Sequence, residues 1–411
     1  MKKMTTSPQS RRGRSAPSRR GRQGASLGAV TLTAVLCLVA AGCGDSSDSS
    51  DAAASGASSD ATSGAAQPAS GSNDSVVAEA QARLDPYVQP ITSIGDFTPL
   101  PSAPPKKSVY VVRNNVPVAA LVDAPIEAAA EALGWEVTIN AVDPTDPQAQ
   151  GNAMEQGVAA GADYILVVSG SAESMGAGLD AAKEAGVPVF LEGGTTKAEG
   201  EANGIYSNSG SGNIENAVAR LMDEVIIDSN GTGKALVVSV PDYPILATLT
   251  DEVKKEFEPA CPDCSMETLN ISIPDLFNAA APQQIVSALR KDPDIDYLVM
   301  SFDSLAAGVP EALSTAGLTK VKLLLAAPDP TQVPLLADGT YMAEALQPVE
   351  TLMWAVFDEM GRYSVGVDTE SEKHDLPPFP VWTKDTLPAG ATKFEGPDGY
   401  QDQWKALWQV S

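Results

Sequence analysis

The chain has 411 residues, with 53 acidic against 27 basic side chains and a formal net charge of −26. Eight basic residues lie in the first 24 positions and every acidic one follows residue 43, so the remainder carries about −34. Such a surface repels a phosphate backbone, which excludes nucleic-acid binding, and four cysteines with one histidine are too few for the common zinc sites.

In chain order, the first segment fixes the compartment. Lys2, Lys3, Arg11, Arg12, Arg14, Arg19, Arg20 and Arg22 precede an uncharged run, ASLGAVTLTAVLCLVAAG, over 25–42. A basic flank, a short apolar core and small residues at the exit form an export signal. The run is shorter than the ~20 apolar residues of a spanning helix and leads into acidic, Ser-rich sequence. Its exit, Ala40-Ala41-Gly42-Cys43, resembles the lipobox of bacterial lipoproteins, with Ala40 where such signals usually carry Leu. That resemblance implies cleavage after residue 42 and acylation (palmitate among the chains) of Cys43. Arg11-Arg12 and Arg19-Arg20 leave the export route, general or twin-arginine, open. Residues 43–106 read as a tether: 44–74 is almost wholly Ser, Ala, Gly and Asp, VVAEAQARLDPYV suits one short helix, and PLPSAPPKK is a Pro-rich linker.

From residue 107 onward the chain alternates apolar runs with longer helical stretches, the pattern of parallel sheets covered on both faces. SVYVV (108–112), EVTINAV (136–142), YILVV (164–168) and VPVFL (187–191) read as strands. Gly134, Gly161 and Gly186 close the intervening helices where φ turns positive. A second block repeats the pattern with KALVVSV (234–240), METLNIS (266–272), DYLVM (296–300) and VKLLLAA (321–327), followed by YMAEAL and the helical VETLMWAVFDEMGRY (349–363). The expected fold is therefore α/β, with two similar Rossmann-like lobes, each a mainly parallel sheet covered by helices.

No Walker loop or HExxH is present, the body from residue 107 onward holds no GxSxG elbow, and His374 stands without a second imidazole, so neither catalysis nor a cofactor is expected. Cys261-Pro-Asp-Cys264 lies between a helix and a strand rather than at a helix N-terminus, and in an oxidising compartment reads as a small disulfide staple. The informative residues follow the strands, because open α/β sheets bind ligands outside their carboxyl edges. From the first block these are Asn114, Asn115, Ser169, Ser171 and Glu192; from the second, Asp242, Tyr243, Asp303, Asp329 and Gln347. Amides, hydroxyls, carboxylates and an aromatic ring suit a polyhydroxy or amide-rich solute. Ser171, Asp303 and Ser304 suit helix caps equally well.

In VYVVRNNVPVAALVDAPIEAAAEALGWEV, QGVAAGADYILVV, LDAAKEAGVPVFLEGG, YLVMSFDSLAAGVPEALSTAG and AEALQPVE, the chain resembles periplasmic-binding-protein-like solute receptors of the ribose/galactose type. The resemblance spans about 107–390. It implies the type 1 fold with a three-crossing hinge near 205–209, 346–348 and 363–366. The lobes would then be 107–205 plus 349–363 and 209–346 plus 366–390, with 391–411 a C-terminal extension like that of actinobacterial relatives. It further implies a monomeric, lipid-anchored receptor on the extracytoplasmic face, passing a small, carbohydrate-like solute to an ABC permease. Glu192 falls where these receptors grip hydroxyls, Gln347 on their cleft glutamine, Asp303 on the acid of a strand–helix junction, and Asn114 and Asn115 in the first ligand loop. The arginines that sugar receptors often carry are replaced by Gly193 and Asp251, and with Glu192 and Asp242 this opens the way to an amine-bearing solute. A receptor for a membrane kinase and an exported glycan or ester hydrolase using cleft carboxylates are the alternatives.

Overall fold

The computed structural model describes residues 70–116, 118–374 and 378–411. The export signal, Cys43 and the tether up to residue 69 lie outside them.

Eleven strands among the described residues form two sheets. β1 (Ser108–Asn114), β2 (Glu136–Val142), β3 (Tyr164–Val168), β4 (Val189–Glu192) and β5 (Ile205–Ser209) form a parallel sheet in the order β2-β1-β3-β4-β5. β6 (Lys234–Ser239), β7 (Ser265–Asn270), β8 (Tyr297–Met300), β9 (Lys322–Ala326) and β10 (Tyr341–Ala345) repeat that order as β7-β6-β8-β9-β10. β11 (Val381–Thr383) closes the second sheet antiparallel to β10. β3 and β8 are buried at every position and wholly apolar, as a strand covered on both faces must be. Helices Asp123–Leu133 and Ala172–Ala185 end on Gly134 and Gly186 at φ of 67° and 70°, and each glycine N–H returns to the last helical turn.

Several boundaries differ from the sequence reading. Residues 205–209 are strand β5, not a crossing, and the first crossing follows at 210–212. The stretch after helix Val349–Ser364 stays on the first lobe as far as His374, where helix Ser371–His374 packs on it and on β5, rather than crossing at 363–366; Phe379 already lies in the core of the second lobe. The stretch read as a flexible tether contains helix Ser70–Val88, whose Ala80 and Leu84 enter the core of the second lobe. Its Arg83 donates to Asp223 from Nε (2.9 Å) and Nη2 (2.6 Å), and Asn216 Nδ2 donates to the Tyr87 hydroxyl at 3.1 Å. The stretch that follows is likewise folded: Ile94 and Phe97, and Leu100 of the Pro-rich linker, belong to the core of the first lobe.

The two terminal segments thus add two crossings to the three of the hinge. The N-terminal one passes from the second lobe to the first between Val88 and Ile94; the C-terminal one returns from β11 to helix Tyr400–Trp408, whose Trp404 and Trp408 are buried in the first lobe. Leu100 N–H donates to Leu407 O at 2.9 Å and joins the segments directly. Cys261 and Cys264 are joined as a disulfide after helix Leu249–Ala260.

His374, which the sequence leaves in a polar stretch, is fully buried. Its Nε2 is 2.9 Å from Asp358 Oδ2 and its Nδ1 is 3.0 Å from Glu370 O. Both ring nitrogens face acceptors, so the imidazolium satisfies both. Asp358, also fully buried, accepts from Arg362 Nε (2.5 Å) and Trp408 Nε1 (2.8 Å), and Arg362 Nη2 donates to Thr98 O at 2.6 Å. Burial alone would lower the His374 pKa, but the bond to Asp358 and the Glu359 charge raise it. Desolvation pushes Glu359 itself up to about 7.

Both shifts mean that the folded state holds protons more tightly than the unfolded chain. The His374 contribution is complete below its ordinary value of about 6.5 and is lost as pH rises through the raised one. The Glu359 contribution is lost between about 4.5 and 7. The melting temperature should therefore fall as pH rises from about 5 to 8, and His374→Gln should flatten the upper part of that slope. Asp358→Ala, which strands buried charge, should cost about 3–5 kcal/mol in denaturant unfolding; a cost below about 1 kcal/mol contradicts this account of the node.

Candidate functional site

In each sheet the strand order reverses beside the first strand, between β1 and β3 and between β6 and β8. At such a switch point the following loops diverge to opposite faces and leave a crevice. Asn114 ends β1 and Ser169 follows β3, so both stand at the first crevice. Tyr243, after β6, and Phe302 and Asp303, after β8, stand at the second. Glu192 ends β4, one strand further, while Asp329 and Gln347 follow β9 and β10.

The first edge is held by backbone geometry. Ser169 is exposed at φ 58°, and its N–H donates to Glu192 O at 2.7 Å. Asn115, also exposed, is anchored through its N–H to Val142 O at 2.7 Å. Ser171 is the N-cap of helix Ala172–Ala185, with a reciprocal box to Ser174, so its hydroxyl has a structural use. Glu192 is partly buried, and desolvation raises its carboxyl to about 7. Arg113 is the one basic residue at this edge, and Asp123 holds it by two bonds of 2.6 Å, from Nε and Nη2.

The second edge is an aromatic and acidic patch. Tyr243 and Phe302 meet edge to face at 6.0 Å. Burial, then the nearby Asp303 charge, raises the Tyr243 pKa; burial is also the main cause that raises Asp303, with Asp329 adding to it. Asp329 Oδ1 accepts from the N–H and hydroxyl of Thr331, both at 2.6 Å, and Gln332 Nε2 donates to Asp303 O at 3.1 Å. Asp242 is exposed, and its Oδ2 accepts from Ile273 N–H at 2.9 Å, which makes it a support of the neighbouring loop. Gln347 is partly buried in the second crossing.

The two edges meet. A Cβ on Gly193 would lie 3.1 Å from Ile245 Cδ1, so the turn after β4 touches the loop after β6 across the lobes. Sequence reasoning missed Ile245, and it also missed a set of buried polar groups nearby. Ser239 and Ser301 follow register partners Val238 and Met300, and both hydroxyls are buried without a partner. Both amide atoms of buried Asn213, at the start of helix Asn213–Asp228, are likewise unpartnered. Glu344 is fully buried in β10 with neither oxygen bonded; burial and the Asp329 charge push it to about 8. A glutamate inside the apolar run YMAEAL was the available signal. Among the described residues, no group of three or more His, Cys, Asp or Glu is placed to hold a metal ion.

The sequence profile described as periplasmic binding protein domain matches residues 111–366. The chain belongs to the periplasmic binding protein family. Members of this family bind solutes and are not catalysts. No curated protein matches this periplasmic binding protein significantly. Among solved structures, it is similar to an ABC transporter solute-binding protein from Burkholderia graminis in complex with D-arabinose (TM-score 0.58, 19% identity, 70% of this chain and 98% of that one). A periplasmic ribose ABC transporter protein from Conexibacter woesei gives TM-score 0.57 at 18% identity, covering 69% and 94%. A 5-methylthioribose transporter solute-binding protein from Thermotoga lettingae gives 0.58 at 14%, covering 74% and 94%. At these identities the likeness speaks to fold alone, and it agrees with the two-lobed type 1 architecture.

Gly193 sits at φ 57°, where a side chain costs about 1–2 kcal/mol. In this periplasmic binding protein, Gly193→Ala should therefore lose about that much stability. Gly193→Leu, which collides with Ile245, should also increase the radius of gyration in solution scattering. An unchanged radius would show that the two edges do not meet there.

Proposed function

We propose that the protein is the extracytoplasmic solute-binding subunit of an ABC importer, capturing a small, hydroxyl-rich solute between its lobes and presenting it to a membrane permease. The observation that carries this reading is the switch point in each sheet, furnished with hydrogen-bonding side chains and one aromatic pair, with the two lobes' strand-end loops in contact at Gly193 and Ile245. Asn114, Asn115, Ser169 and Glu192 would contact the solute from the first lobe, and Tyr243, Asp303, Asp329 and Gln347 from the second. A carboxylate or amide accepts a hydroxyl proton, and the Tyr243–Phe302 pair offers an apolar face to a sugar ring. Structures of the same fold include a complex with D-arabinose, a ribose transporter protein and a 5-methylthioribose transporter protein, which supports a carbohydrate-like ligand. The chemistry is binding and lobe closure, with no bond made or broken.

Ligand binding to the folded state stabilises it by mass action. A screen of sugars, polyols and amines should therefore find a solute that raises the melting temperature. A folded sample whose melting temperature no member of the screen raises contradicts the receptor reading.

The anchor proposed at Cys43 rests on the run Ala40-Ala41-Gly42-Cys43 after an uncharged segment. Stable anchoring takes more than one acyl chain, which a lipoprotein's modified cysteine supplies. Labelled palmitate should enter the native protein and be lost on Cys43→Ser; a native protein that takes up no label is secreted without an anchor.

A further inference from the structure

Both terminal segments lie against the hinge. Near the C-terminus, Ala391 and Phe394 pack on the core of the second lobe, and Tyr400 opens the helix that is buried in the first, so the chain passes between the lobes within 395–399. Lys393 Nζ bonds Glu350 Oε1 at 2.7 Å. Glu350 stands in the first turn of helix Val349–Ser364, directly after the second crossing at 346–348, and its neighbours Val349 and Leu352 pack in the first-lobe core. This ion pair therefore joins the lobes at the hinge.

Gly396 presses on the same turn. A Cβ there would lie 2.5 Å from Thr351 Cγ2 and 3.0 Å from the Tyr400 ring, and its φ of 106° favours glycine. Leu352, next to Thr351, closes on the first crossing: a Cβ on Gly210 would lie 3.0 Å from Leu352 Cδ2 and 3.1 Å from Asn213 Nδ2. The C-terminal passage, the second crossing and the first are thus packed side by side. The N-terminal segment lies along the third crossing in the same way. Tyr87 meets Phe379 at 4.8 Å on the second-lobe side, and Phe97 stacks on His374 at 4.5 Å on the first-lobe side. Between these pairs Lys373 Nζ donates to Asp96 O at 2.7 Å.

We propose that the terminal segments form a clasp on the hinge, with Lys393 and Gly396 as its positioning residues, and that the clasp holds the lobes in the arrangement in which Gly193 meets Ile245. Rotation about the crossings pulls Lys393 from Glu350 and Gly396 from Thr351, so each opening breaks contacts that do not depend on solute. A half-exposed ion pair contributes little by itself. The close packing at Gly396 and Gly210 resists displacement more, because packed contacts are lost within a fraction of an ångström. A receptor whose binding-competent arrangement is already populated captures its solute without first meeting the cost of reaching it. The clasp acts on lobe movement whichever solute the cleft takes, and so goes beyond the receptor reading.

The test reads the distance between spin labels on the two lobes by pulsed electron resonance. The labels sit on Gln148→Cys and Asn278→Cys, exposed residues beyond β2 of the first lobe and β7 of the second, in the mature chain carrying Cys43→Ser. Six Gly and Ser residues inserted after Glu395 lengthen the passage by up to about 20 Å and leave Phe394 and helix Tyr400–Trp408 in place. The expected result is a new population at longer distance, with the melting temperature nearly unchanged. Lys393→Met should move the ratio of populations the same way by about fivefold at most, the range of an exposed ion pair. The same insertion after Ala61, in the tether, should leave the distribution as it is; a change of equal size there overturns the proposal. An insertion variant at Glu395 that stays folded and keeps the native distribution also overturns it. If that insertion unfolds the sample, Lys393→Met combined with Gly396→Ala takes its place, and an unchanged distribution in the double variant overturns the proposal equally.

Discussion

A fully buried carboxylate holds the first lobe to both ends of the chain. Asp358 sits in the middle of helix Val349–Ser364 and gathers Arg362, His374 and Trp408 around two oxygens. Arg362 reaches on to Thr98 O, and Glu370 bonds the N–H and hydroxyl of the same threonine. One helix of the first lobe, the approach to the third crossing, the C-terminal helix and the N-terminal strap therefore meet at a single ionic centre. An unpaired charge in such a place is prohibitive, so the four segments have to arrive together. Phe97 stacked on His374 at 4.5 Å, with Trp404 and Trp408 beside them, seals the centre from water.

That centre lies away from the cleft, which is why it matters to it. A two-lobed receptor works by bending at its crossings while each lobe stays rigid. In this chain the strap docks its helix on the second lobe through Arg83–Asp223 and its Phe97 and Leu100 on the first, and the tail runs the opposite way. Five crossings rather than three limit the arc through which the lobes can open.

The alternation of strands and helices, and the loops that would line a cleft, could be read from residue patterns alone. β3 and β8 are continuous apolar runs between glycines and polar loops, and they announce themselves. β5 did not: IYSNS alternates correctly, but its inward Ser207 and Ser209 are small and polar and mimic a loop. β11 is three residues long and exists because β10 offers it an edge. Nor could PLPSAPPKK reveal that Leu100 is buried, since its partners are some 300 residues away near the C-terminus. His374 looked solitary for the same reason: every group that explains it is distant in sequence or unremarkable beside it. At the cleft, residue types and positions were legible, but the division of labour was not. Ser171 and Asp242 turned out to bond backbone, Glu344 was marked only as an acid inside an apolar run, and Asn213 and Ile245 carried no sequence signal to single them out.

The central claim is that solute is enclosed where the two switch points face each other. A crystal structure of the protein with its captured solute tests this most directly. The account predicts the solute between the edge formed by Asn114, Ser169 and Glu192 and the edge formed by Tyr243, Phe302 and Asp303, with Gly193 and Ile245 still in contact beside it. Solute seated instead in the groove of about 580 Å³ lined by Glu215, Asn216, Glu252 and Glu256, with the cleft empty, would contradict it.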